Sequence, residues 1–253
     1  MHRFYLAPGQ CGQCPLRLSE REANHASRVL RVRPHECVVV LNGVGDEFIC
    51  EVQHITRRAV ALNVVRQRAV AAPPCRLTLL QAIPKGPAME TIIQKATELG
   101  VSRIVPILSE RGVVRPKANE LAAKAAKWGA VAIEAIKQCG SAWLPRVEIP
   151  IPLRDFVARN EAFDLALIAS LEADAVHLRQ HLESFVRRER RPPASACVWV
   201  GPEGDFTPVE IGAVRSSGAL PITLGPLLLR SETAATCCLA VINHELRAPP
   251  PVR

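Results

Sequence analysis

Apolar residues change rhythm once along this chain. Up to about residue 70 they come in short runs broken by polar positions, at 2–6, 37–41, 48–53 and 60–65, which is the length and β-branched content of strands. Asn42-Gly43-Val44-Gly45-Asp46 supplies hairpin turn chemistry between two of them. With one helix predicted over 20–30, this part reads as a small barrel. Beyond Ala71-Ala72-Pro73-Pro74 the runs become continuously apolar, at 77–83, 104–108, 165–169, 197–200 and 220–224, as in parallel strands buried on both faces. Met89, Ile92, Ile93, Ala96 and Leu99 recur at helical spacing, and Gly100 is placed to close that helix. Further helices are predicted at 120–138, 173–188, 209–216 and 232–246. The expected fold is α/β, in two domains spanning residues 1–72 and 75–248, with a loose proline-rich tail at Pro249-Pro250-Pro251.

Two glycine-bearing loops stand out in the last quarter. Val200-Gly201-Pro202-Glu203-Gly204-Asp205-Phe206 and Leu224-Gly225-Pro226-Leu227-Leu228-Leu229-Arg230-Ser231-Glu232-Thr233-Ala234 each follow a predicted strand and open a helix. Glycine lets backbone approach a ligand closely, and a helix N-terminus offers unpaired N–H donors. Either loop alone is equally read as ordinary turn chemistry; together they describe a pocket made mainly of backbone. A dinucleotide-type fold would instead put its glycine-rich turn after the domain's first strand, with an acid about 20 residues on, and nothing near 83–86 fits.

These loops resemble those of the ribosomal RNA small-subunit methyltransferases that methylate N3 of a uridine, a branch of the SPOUT class. The resemblance spans nearly the whole chain. Asn24-His25-Ala26-Ser27-Arg28-Val29-Leu30-Arg31 is similar to the family's His-x-x-x-Val-Leu-Arg signature. Gln94-Lys95-Ala96-Thr97-Glu98-Leu99-Gly100 and Ser109-Glu110-Arg111 match its middle segments in the expected order. The resemblance implies a PUA-like RNA-binding β-barrel, then a SPOUT domain whose C-terminal segment threads a trefoil knot. It also implies S-adenosylmethionine as cofactor, small-subunit ribosomal RNA or the assembled small subunit as partner, and a homodimer.

Site residues follow from the same resemblance. Ile168, Ala169, Gly201, Pro202, Glu203, Gly204, Leu224, Gly225, Leu228, Leu229, Thr233 and Ala234 are expected to enclose the cofactor. Arg230 is the leading catalytic candidate, able to clamp a phosphate or stabilise a developing uracil anion, with a surface ion pair as the alternative. Glu232 is either the acceptor of the N3 proton or a first-turn acid complementing the helix dipole. His25, Arg28 and Arg31, with Lys85, Lys95 and Arg111, are RNA-contact candidates; solvated surface cations are the alternative for the first group. The chain also departs from the family. Lys137-Gln138-Cys139-Gly140-Ser141 replaces Glu-Gln-Ser-Gly-Arg, which is either a lineage variant or a shift of RNA contacts to Lys137 and Arg146. Asp205 stands for the usual second glycine, and Leu227 for a polar or basic residue.

Composition changes this picture little. A formal charge of +8 over 253 residues suits an anionic partner without requiring one. The run Arg187-Arg188-Glu189-Arg190-Arg191 is read as a solvated helix C-terminus rather than an RNA contact. No apolar run spans a bilayer and no signal-peptide pattern opens the chain, so a cytoplasmic protein without membrane partners is expected. The nine cysteines are expected to be reduced. Cys11 and Cys14 have ligand spacing but no second pair, and no metal site is assigned. Two other readings remain: a SPOUT ribose 2′-O-methyltransferase, and an RNA-binding factor without activity.

Overall fold

The computed structural model describes residues 1–56, 59–113 and 116–247; the tail at 249–251 lies outside them. The chain separates into two units, Met1–Ala72 with Ile133–Leu144, and Pro73–Ala132 with Pro145–Arg253.

In the first unit, strands β1 (His2–Tyr5), β2 (Leu16–Arg17), β3 (Cys37–Leu41), β4 (Asp46–Ile55) and β5 (Val60–Ala69) form one sheet in the order β1-β3-β4-β5-β2. Only the β1–β3 pair is parallel. Register shifts between Ile49 and Cys50 and between Val52 and His54 bend the long β4–β5 ribbon. The sheet curls about a single cluster to which every strand contributes, including Phe4, Leu16, Val38, Val40, Phe48, Val52 and Leu62. This is the PUA-like barrel. Helix α1 (Glu20–Asn24) is capped by Ser19, whose hydroxyl accepts from the Glu22 N–H. The predicted helix over 20–30 then changes character: 25–30 is a π-helical turn, ended by Arg31 in the left-handed conformation with its N–H on the Ala26 carbonyl.

The second unit is the expected α/β domain with a parallel sheet. Its strands are β6 (Arg76–Ala82), β7 (Arg103–Leu108), β8 (Arg146–Val147), β9 (Ile151–Pro152), β10 (Leu165–Ala169), β11 (Ser195–Val200) and β12 (Leu220–Ile222). They form an all-parallel sheet in the order β12-β10-β11-β6-β7-β8, with β9 also on β7. The helices are α2 (Ala88–Glu98), α3 (Leu121–Cys139), whose residues from Ile133 on belong to the first unit, α4 (Leu153–Val157), α5 (Leu178–Glu189), α6 (Pro208–Ser216) and α7 (Ser231–Arg247). The central strands are buried on both faces, as their continuous apolar runs require. From β12 at the sheet edge the chain runs on to α7, which packs on β11, α2 and α5.

Several features escaped the sequence pattern, the two-residue strand β2 and the five-residue helix α4 among them. Strands β8 and β9 have two residues each, too few to carry a period. Helix α5 begins at Leu178 rather than near 173, because Val176 bridges Ile222 in the sheet and His177 caps the helix by accepting from the Arg179 N–H.

Candidate active site

A cleft opens where β10, β11 and β12 end, at their C-terminal side, the usual ligand position of a parallel sheet. Ala169, Ser170 and Leu171 leave β10. Gly201, Pro202, Glu203 and Asp205 leave β11, and Leu224 to Leu229 leave β12, with Ser231 and Ala234 at the start of α7. The space is about 580 Å³ when its open mouth and the solvent in it are counted.

The two loops use glycine differently. Gly225 has φ +106° and a Cβ built there would meet no atom within 4 Å, so this glycine opens onto the cleft and needs the left-handed region. Gly201 is required by its own loop instead. A Cβ there would lie 2.6 Å from Asp205 Oδ1.

The β11 loop is fastened on several sides. Arg111 donates to the carbonyls of Gly204 at 3.0 Å and Phe206 at 3.4 Å. Glu203 accepts from the Lys85 N–H at 2.8 Å. The buried Glu210 carboxylate accepts from the N–H groups of Glu110 at 2.8 Å and Thr207 at 2.9 Å, closing a capping box on α6. Such charge-assisted bonds to backbone hold a loop rigid enough to shape a pocket.

Most of the expected cofactor residues meet in this cleft: Ala169, Gly201, Pro202, Glu203, Leu224, Gly225, Leu228, Leu229 and Ala234 line it. Ile168 instead lies in the core beneath, with Leu80 and Trp199. Gly204 faces Arg111, and Thr233 is exposed on α7. Ser170, Leu171, Val200, Asp205, Leu227 and Ser231 line the cleft without having been expected. Their adjacency to expected positions was the available signal.

Arg230 is exposed immediately before α7, and its carbonyl accepts the Ala234 N–H at 2.8 Å. Its guanidinium forms no ion pair with any described residue, unlike those of Arg103, Arg191 and Arg215. Glu232 is half-buried in the first turn of α7. The cysteines nearby are packing residues. Burial pushes the Cys197 thiol up to about 12 and raises that of Cys238 further.

The candidate RNA cations fall into three situations. His25 and Arg28 border one open groove of the first unit, with Asn24 and Val29, while Arg31 lies past the π-turn and outside it. Lys85 is exposed. Lys95 is paired with Glu98 at 2.9 Å, and Arg111 holds the β11 loop. Lys137 is buried, 8% exposed, and its ammonium is committed to Glu22 at 2.8 Å and Glu134 at 2.9 Å. Two arginines of the run are paired: Arg191 grips Asp164 with both terminal nitrogens and Arg188 pairs with Glu189.

Comparison with known proteins agrees with this geometry. An RNA methyltransferase domain model matches residues 71–243, and an RNA methyltransferase PUA domain model matches 18–65. Ribosomal RNA small subunit methyltransferase E of Synechocystis is 31% identical over 98% of this chain and 78% of its own length. The protein of that name in Bacillus subtilis is 27% identical over 97% of both chains. Among solved structures, a Legionella pneumophila methyltransferase in complex with bound cofactor SAM superposes with a TM-score of 0.85, at 31% identity over 97% of this chain and 98% of that one. A Neisseria gonorrhoeae ribosomal RNA small subunit methyltransferase E bound to S-adenosyl methionine gives 0.84, at 28% identity over 97% and 98%.

Proposed function

The chain belongs to the RNA methyltransferase family, and from that premise we propose that it binds S-adenosylmethionine in the cleft of its second unit and methylates N3 of a uridine in small-subunit ribosomal RNA. The observation that carries this reading is the convergence of three strand-end loops on one cleft, with Arg230, which forms no ion pair with any described residue, between its lining residues Leu229 and Ser231. The cleft suits the cofactor: its walls combine backbone and aliphatic side chains with the polar Ser170, Glu203, Asp205 and Ser231, and Gly225 leaves room where a Cβ would project. The bound cofactor supplies a methyl group on sulfonium and leaves as a neutral thioether, a reaction that asks the protein for positioning and electrostatics.

Uracil N3 carries a proton at neutral pH, and its lone pair is available only once that proton leaves. In this reading Arg230 steadies the developing uracil anion or an adjoining phosphate through paired hydrogen bonds. Glu232 takes the proton, directly or through a water. Leu171, Leu227 and Leu228 at the cleft rim help exclude bulk water. The first unit contributes RNA affinity through its groove at His25 and Arg28. The enzyme acts in the cytoplasm as a homodimer in this proposal; Leu227 and Leu228, 71% and 79% exposed, are apolar surface that a second copy would cover. Light scattering on the assayed sample reads the assembly state.

The test is methyl transfer from labelled S-adenosylmethionine to unmodified small ribosomal subunits, followed by nuclease digestion and nucleoside chromatography. Label in 3-methyluridine is the expected outcome. Label in a ribose-methylated nucleoside would move the chain to the 2′-O reading, and no label despite cofactor binding would favour the RNA-binding factor.

A further inference from the structure

One buried polar chain joins three segments far apart in sequence beneath the cleft. Gln81, next to last in β6, has no solvent exposure. Its Nε2 donates to the Ala82 carbonyl at 2.8 Å and to Ser231 Oγ at 2.9 Å. Ser231 Oγ in turn donates to the Gly201 carbonyl at 2.8 Å. The direction of every bond is forced. A carbonyl only accepts, so the bond to Ala82 fixes which end of the Gln81 amide is nitrogen. That nitrogen donates to Ser231, and the hydroxyl's single proton is left for Gly201.

We infer that Gln81 and Ser231 are positioning residues for the methyl-transfer site: their relay sets where the Gly201 loop and the first turn of α7 stand relative to each other. Gly201 and Ser231 both line the cleft, and Ser231 lies between Arg230 and Glu232. Gln81 pairs in register with Val200, the last residue of β11, and with Pro106 of β7, so the relay is anchored in the centre of the sheet. A hydroxyl at 231 is therefore required for geometry. Its donor is already committed and is not offered to a ligand.

The inference rests on the cofactor reading above, and the experiment separates the two. S-adenosylmethionine binding is measured by calorimetry on the full chain for wild type, Ser231→Ala, Ser231→Thr and Gln81→Met, well below each variant's unfolding temperature, alongside steady-state kinetics. Expected is at least a tenfold rise in Kd and KM for the cofactor in Ser231→Ala, a smaller rise in Gln81→Met, and recovery to within about threefold in Ser231→Thr, which keeps the hydroxyl. A purely structural role would lower melting temperature without moving cofactor Kd in the folded protein. Cofactor binding by Ser231→Ala and Gln81→Met within twofold of wild type would overturn the relay. Should Ser231→Ala not fold, Gln81→Met decides by the same threshold. A wild-type chain that does not bind S-adenosylmethionine overturns the cofactor reading itself, and the relay's role with it.

Discussion

At Asp205 the backbone takes φ +58°, the left-handed region that costs an L-residue roughly 1–2 kcal/mol and that glycine enters freely. This explains why the family's glycine pattern reaches this position. Aspartate is tolerated because it is among the residues that visit this region, and its Oδ1 accepts the Phe206 N–H at 2.7 Å. Asp205→Gly is expected to stay within about 1 kcal/mol of wild type, whereas Asp205→Val, with a β-branch and no acceptor, should lose about 2 kcal/mol or more in denaturant unfolding. Equal stability of the valine variant would refute the strain. The change of acid to base at 137 has an equally local cause that sequence did not reveal. Lys137 finds Glu22, a partner 115 positions away, and no spacing rule links residues so distant. Arg230 could be singled out because it adjoins a glycine loop and a helix start. Its substitution by alanine should cut methyl transfer at least a hundredfold while cofactor Kd changes little, as measured by single-turnover assay and calorimetry.

Elements were legible where burial imposes a period and obscure where a few side-chain bonds decide. The five buried strands of the second unit announced themselves by apolar runs, while the start of α5 depended on Val176 joining the sheet edge. The arginine run after α5 shows how such bonds redirect charge. Asp164, just before β10, receives both terminal nitrogens of Arg191 at 2.8 and 2.9 Å and the Ala194 N–H at 2.7 Å, clipping the start of β10 to the start of β11. The Arg191 hydrogen bonds, and then the Ala194 amide, hold its carboxyl well below the usual carboxylate range. Its folded value is below its unfolded value, so the clip contributes in full above about pH 4 and is lost as pH falls toward the folded value. Asp164→Asn should therefore lower Tm by about 2–4 °C near neutrality, with the gap from wild type closing as pH falls from about 4 to 2. A gap that stayed constant over that range would assign the loss to packing.

Taken as a whole molecule, the chain carries +8 formal charge, yet much of its cationic side-chain inventory is committed internally. Arg103, Arg191 and Arg215 are in ion pairs, Lys137 is buried, and Arg111 holds a loop. The number of cations alone therefore overstates the side chains available to RNA, and the useful cations are those without internal partners. Arg28 is one: it is exposed, borders the first unit's groove, and forms no ion pair with any described residue. Lys95, paired with Glu98, is a weaker candidate. Each phosphate contact releases condensed counterions, so losing one should flatten the dependence of log affinity on log salt by about 1. Arg28→Ala is expected to weaken binding of a small-subunit RNA fragment and to flatten that slope by about one unit, whereas Lys95→Ala should change the slope by much less. Filter binding of both variants between about 50 and 200 mM salt, the range over which phosphate contacts dominate, reads the difference. Equal slopes for Arg28→Ala and wild type would remove the first-unit groove from the RNA path and leave the charge there as solvated surface.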